Sequence, residues 1–309
     1  MEFKMKSFAT FMVIAMVVLG TALTASAQAP ANIWFEADAI SGLTNGEAVA
    51  TWPDSSGNGN DLVSITNAPT YKTGVVNGKP VLDFAGGGIQ MGAPSDSSMN
   101  HTSFTAFAVL KYGNLAVTES MFFRGNDPNT GILYAFMGYA WAGGTEKRAY
   151  VQIRKEDGVG GSDQAGCIGG TDTGVTAFHV HTGWFDKSLL PDSTSNIGCF
   201  NLYRDGTLDI AGSPYHLCQA DITLGATTSG GLMLGWQGIV ADPRYFEGQV
   251  AEIAVIPYAG SAQDILDVNA YLGAKYGITV AGGGDAGNGY TILAGTAVSG
   301  NPGTLIYGK

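Results

Sequence analysis

From about residue 31 onward the sequence is a succession of short apolar runs, each closed by glycine, asparagine or aspartate. Runs of this kind read as strands joined by tight turns, and a chain built from them closes as a sandwich or a barrel. Segments 48–52, 81–84, 104–111, 121–124, 132–139, 148–155, 178–185, 200–204, 207–210, 232–236 and 249–257 carry the strand pattern. Residues 104–111 hold apolar side chains throughout, which predicts a buried central strand. Asp205-Gly206 between two such runs is the signal of a two-residue hairpin. One segment has another period. Ser261 with Asp264 resembles a capping box; Ile265, Val268, Leu272 and Tyr276 follow at helical spacing, and Gly277 supplies the stop. The expectation is an all-β, two-sheet antiparallel jelly roll with one C-terminal helix packed at its edge.

The first residues are of a different kind. Lys4 and Lys6 precede an apolar stretch over 8–23, and Ala25-Ser26-Ala27 offers a small-residue cleavage site. That is the layout of a secretory signal peptide, with cleavage after Ala27. The reading divides the chain into a signal peptide over 1–27, a jelly-roll domain over 28–280 and a tail over 281–309. The tail opens on a glycine-rich linker and carries two strand-like pieces, 290–297 and 304–307. Export places the protein outside the cell, at its surface or in a periplasm. The formal charge of the whole chain is −11, and removal of Glu2, Lys4 and Lys6 leaves −12. So acidic a body repels nucleic acid and anionic lipid and tolerates neutral polymers or divalent cations. Three cysteines, Cys167, Cys199 and Cys218, predict one disulfide and one free thiol in an oxidising compartment, with all three pairings open.

Several of these segments resemble bacterial LamG-like domains of the concanavalin A-like lectin and glucanase class. Ile33-Trp34-Phe35-Glu36-Ala37-Asp38, the run Trp52-Pro53-Asp54 through Asp61, and Val81-Leu82-Asp83-Phe84 are similar to the start of such domains. His181 to Asp186 and Leu202 to Leu208 resemble the family's penultimate strands. Residues 246–255 and 271–278 resemble its closing strand and terminal helix. The likeness spans about residues 31–279. It implies a jelly roll whose members serve as glycan- or protein-binding modules or as parts of surface proteins.

Alternation along strands nominates the candidate site. Tyr150, Gln152 and Arg154 share one face of their strand, and His179 and His181 share one face of theirs. If the two strands are neighbours, these five residues form a polar and aromatic strip suited to sugars; an ordinary solvated sheet face is the alternative. Trp141, in the loop-like stretch 139–144, and Trp236, beside glycines, are candidate stacking platforms or plugs of the sandwich end. Trp34 and Trp52 are assigned to the core. Asp54, Asn58, Asn60 and Asp61 present hard oxygen donors that calcium accepts, although the spacing is not that of an EF-hand. A tight side-chain-bonded turn explains the same residues.

No catalytic constellation emerges. Glu252 stands alone on its strand, Glu36 and Asp38 belong to the opening motif, and no nucleophile elbow or phosphate-binding loop occurs. Three functions remain in order. The first is a secreted, non-catalytic module that binds a polysaccharide or glycoconjugate. The second is a structural subunit that joins copies of itself through residues 281–309 by strand addition. The third is a polysaccharide hydrolase or lyase. No cofactor other than calcium is implied, and no membrane insertion is expected after signal cleavage.

Overall fold

The computed structural model describes residues 31–84, 89–92, 103–119, 122–124, 132–156, 162–189, 199–210, 216–217, 232–235 and 245–281. The expected signal peptide over 1–27 and the tail beyond Ala281 lie outside these residues. In chain order the strands are β1 (Ile33–Glu36), β2 (Thr51–Trp52), β3 (Leu62–Thr66), β4 (Thr70–Val76), β5 (Lys79–Phe84) and β6 (Gln90–Gly92). Then come β7 (Phe104–Tyr112), β8 (Phe122–Arg124), β9 (Ile132–Trp141), β10 (Glu146–Glu156), β11 (Ser162–Ile168) and β12 (His179–Phe185). The last are β13 (Phe200–Arg204), β14 (Thr207–Leu208), β15 (His216–Leu217), β16 (Leu232–Leu234) and β17 (Gly248–Ile256), followed by helix α1 (Ala262–Tyr276).

The strands make two antiparallel sheets. One runs β14-β13-β12-β7-β17-β5-β4, with β1 also on β17; the other runs β15-β11-β10-β9-β8-β16-β6-β3-β2. Phe35, Trp52, Phe84, Phe104, Val151, Phe185, Phe200 and Leu234 pack between them. A second apolar layer of Trp34, Val81, Phe107, Val109, Val180, Ala254 and Ile256 lies on the far face of the first sheet, against Val268, Leu272 and Tyr276 of α1. The first sheet is therefore covered on both sides, and no described element packs on the outer face of the second. We call them the covered and the open sheet. Burial of alternate residues on both faces explains the apolar run 106–110 of β7, which sits between β12 and β17 at the centre of the covered sheet.

α1 begins as the sequence predicts. Ser261 Oγ accepts from Asp264 N, and Asp264 Oδ2 accepts from Ser261 N. Gly277 ends the helix at φ 67°. Asp205 and Gly206 take φ 50° and 76°, which closes the β13–β14 hairpin. Cys167 is a free, buried thiol, and Cys199 is disulfide-bonded. No helix among the described residues is long and apolar enough to cross a membrane.

Candidate functional site

The expected strip does not assemble, because its two strands lie in different sheets. β12 pairs with β7 and β13, and β10 pairs with β9 and β11. They face each other across the core: a Cβ added to Gly183 would lie 2.7 Å from Val151 Cγ2. The expected alternation along β12 holds, but both of its faces are covered. Val180 lies beneath the helix, and His181 points between the sheets, fully buried, with its ring 5.6 Å from that of Tyr112. Burial pushes the His181 imidazole down to about 3, and neighbouring His179 adds to the shift. His179 is held by Asp205, 2.6 Å from Nδ1 to Oδ2. Neither histidine belongs to a surface shared with Tyr150.

The other half of the strip does sit on an open face. Lys147, Ala149 and Val151 of β10 point inward and are buried, so Glu146, Arg148 and Tyr150 point outward. Trp141 is not in a loop. It is the last residue of β9, opposite Glu146, and Tyr139 stands opposite Arg148. Ala142, Gly143 and Gly144 take positive φ and make the turn, and Gly144 N donates to Trp141 O at 2.9 Å. The hairpin thus brings Tyr139, Trp141, Arg148 and Tyr150 together, all half-exposed. The Tyr139 ring lies 5.9 Å from Trp141 and 6.1 Å from Tyr150. The Arg148 guanidinium lies 4.6 Å from the Trp141 ring centroid. Its Nε and Nη2 donate to Glu146 Oε2 at 3.0 and 2.9 Å, so its charge is matched. Gln152 and Arg154 continue the row as register partners of Tyr134 and Ile132, beyond a bulge. Their side chains, and all of Trp236, lie outside the described residues.

An inward clamp holds this hairpin. Lys147, completely buried, donates to Val117 O and pairs with Glu119 Oε1 at 3.5 Å. Burial pushes the Glu119 carboxyl up to about 7, with Lys147 pulling the other way. Thr173 N and Oγ1 both donate to Lys147 O. The platform therefore stands on a fixed base.

The Asp54–Asp61 loop is held by its own bonds. Asp54 Oδ1 accepts from Trp34 N and Ser56 N, and Oδ2 accepts from Ser56 Oγ and Asn60 N. Asp61 Oδ1 accepts from Asp54 N. Asn58 and Asn60 both donate through Nδ2 to Asn32 O. These contacts favour the turn over the calcium reading.

A tighter carboxylate group lies elsewhere. Glu36, Asp38 and Glu252 bring one oxygen each within 4.8 Å of one another. The Lys275 ammonium stands among them, 2.6 Å from Glu36, 3.1 Å from Asp38 and 2.7 Å from Glu252. Trp34 Nε1 and Tyr276 OH also donate to Glu252. A lysine already stands at the centre of the group, so the group docks the helix on the sheet rather than awaiting a metal ion. Glu252, which stands alone along its strand, is thus joined by both acids of the opening motif. That convergence, like the grouping of Tyr139 and Arg148 with Trp141 and Tyr150, is not evident from the sequence.

The fold defines the class: an antiparallel jelly-roll sandwich. No family model matches the sequence, and no curated protein does so either. Among solved structures the chain is similar to domain 4 of AbnA, an extracellular arabinanase from Geobacillus stearothermophilus, solved in complex with arabinotriose. The TM-score is 0.52 at 15% identity, over 79% of this chain and all of that one. It is also similar to the CBM40 of a Ruminococcus gnavus sialidase bound to α2,3-sialyllactose, with a TM-score of 0.42 at 11% identity over 61% of this chain and 96% of that one. A Trypanosoma rangeli sialidase matches over 79% of this chain and 33% of its own length, with a TM-score of 0.44 at 12% identity.

Proposed function

We propose that the protein is a secreted, non-catalytic LamG-like module that holds a polysaccharide or glycoconjugate against the outer face of the open sheet. The observation that carries this reading is the half-exposed group Tyr139, Trp141, Arg148 and Tyr150 on a face that no described element covers. Aromatic rings fixed in a sheet stack on the C–H faces of sugars at little entropic cost. Arg148 is ion-paired and the chain is acidic overall, so a neutral glycan suits the platform better than an acidic one. The arabinanase domain that shares the fold was solved with a neutral arabinose trimer, which supports the reading through the fold alone.

Retention on insoluble polysaccharides and on a glycan array tests the proposal. The full chain should be retained by at least one neutral glycan, and Trp141→Ala should weaken that retention at least tenfold with an unchanged melting temperature. No retention on any glycan, with or without calcium, would sink it.

One observation favours the assembly reading as a second. Ala281, where the tail begins, donates its N–H to Asp205 O at 2.8 Å, beside edge strand β14 and its exposed Leu208. A tail rooted at an edge is placed to pair with a neighbour's edge. Light scattering should then show oligomers that disappear when residues 282–309 are deleted; a monomer with the tail intact would discard this reading.

A further inference from the structure

The helix does not cover the whole outer face of the covered sheet. Thr70 of β4, Asp83 of β5, Gln249 of β17 and Lys111 of β7 are direct register neighbours in one row across four adjacent strands. The residues next to them, Tyr71, Leu82, Val250 and Leu110, are in the core between the sheets, so this row faces outward. Val81 and Val109, two residues back on their strands, pack in the apolar layer that holds α1.

At this row the surface opens into a cleft of about 300 Å³ lined by Asp83, Lys111, Gln249, Glu247 and Val175. Its floor is backbone. A Cβ on Gly248, at φ 154°, would lie 2.3 Å from Lys111 O, and one on Gly113 would lie 2.6 Å from Glu247 O. Gln249 Oε1 is buried in this setting without a hydrogen-bond partner. An acceptor left so costs about 1–3 kcal/mol and calls for an explanation. Lys111 Nζ, on the cleft's rim, lies 5.4 Å from the centroid of the Phe178 ring.

The donor set selects a ligand class. A bare phosphate would meet Asp83 and Glu247, and a divalent cation would meet Lys111. A ring with neighbouring hydroxyls satisfies all three kinds of group. Its O–H groups donate to Asp83 and, once the Gln249 amide turns into the cleft, to Oε1; its oxygens accept from Lys111, and its C–H edge lies on Val175. The volume is at the lower end for small-molecule sites and matches one sugar unit better than a chain. We propose that this cleft is a second binding site, for a single neutral monosaccharide unit, free or at the end of a glycan. It lies on the other sheet from the aromatic platform and does not depend on that platform's role.

Saturation-transfer NMR on the full chain, with glucose, galactose, mannose, xylose and arabinose offered singly, tests it. At least one sugar should bind, with a dissociation constant in the millimolar range. Gln249→Ala and Asp83→Ala should each weaken it at least tenfold, while Trp141→Ala leaves it unchanged. Gln249→Ala should melt no lower than the parent, since its carboxamide oxygen holds no protein partner; a clear drop would mark a structural residue and overturn the assignment. Absence of binding by all five sugars, or binding indifferent to both cleft variants, would also overturn it. Calcium chloride or inorganic phosphate alone shifting the Gln249 side-chain resonances would overturn the ligand class. Loss of sugar only in Trp141→Ala would transfer the site to the platform.

Discussion

Both ring nitrogens of His181 lie between the sheets without a hydrogen-bond partner. Its imidazole is pushed down to about 3, below the ordinary value of 6.5. In the unfolded chain the ring takes a proton as the pH falls through about 6.5, and in the folded chain it does not. Its contribution to stability is therefore complete above that pH and is lost progressively between about 6.5 and 3, at up to about 1.4 kcal/mol per pH unit. His181→Leu should flatten the acid limb of a plot of unfolding free energy against pH, measured by urea titration. Glu119 works in the opposite sense. Its carboxyl, raised to about 7, makes the fold less stable as the pH climbs from about 4.5 to 7. Removing only Lys147, by Lys147→Ala, should cost about 3–5 kcal/mol, because Glu119 stays buried without its cation. Glu119→Leu combined with Lys147→Met should recover most of that loss. For the Asp54 loop, whose carboxylate oxygens already accept four donors, melting curves in calcium and in chelator should coincide.

At the scale of elements, one lysine supplies the charged tie between helix and sheet. Lys275 holds Glu36 and Glu252, from β1 and β17, at 2.6 and 2.7 Å. Burial alone would lower its pKa, and the surrounding carboxylates, Glu252 foremost, raise it instead. Lys275→Met should therefore destabilise by about 3–5 kcal/mol and bring amide exchange of α1 closer to the solvent rate. The helix and its caps were legible because one short stretch holds both the 3.6 period and the stop signals. The apolar strands were legible for the same local reason. β3, β4, β6, β11 and β15 do not stand out in the sequence. β4 is broken by Gly74 at φ 68° and a register shift, and β11, Ser-Asp-Gln-Ala-Gly-Cys-Ile, lacks a β-branched run. The site was legible only in part. Trp141 and Tyr150 of the proposed platform are nominated by the sequence, but pairing strands across sheets is a long-range choice that alternation does not encode. A polar row on β12 indicated a wet face by a rule that fails when helix and sheet cover both sides. Tyr139 and Arg148 carried a signal, two residues from Trp141 and Tyr150 across a glycine turn, once 139–144 is read as strand and turn instead of loop.

For the whole molecule, the three layers divide the labour. The covered sheet supplies rigidity, buried on one side by the open sheet and on the other by α1. The proposed ligand groups lie on opposite outer surfaces, the platform on one sheet and the polar row on the other. The strand that completes this architecture is nearly the last to be made. β17 pairs with β1, β5 and β7, and Ile33 meets Val255 across most of the chain's length. A ribosome would have to finish residue 256 before the first strand could find its mate, so a chain cut after residue 247 should show no cooperative melt. Until that late closure the polypeptide stays threadable. For a chain exported as we propose, being unable to close too soon keeps it fit to pass a narrow translocation channel.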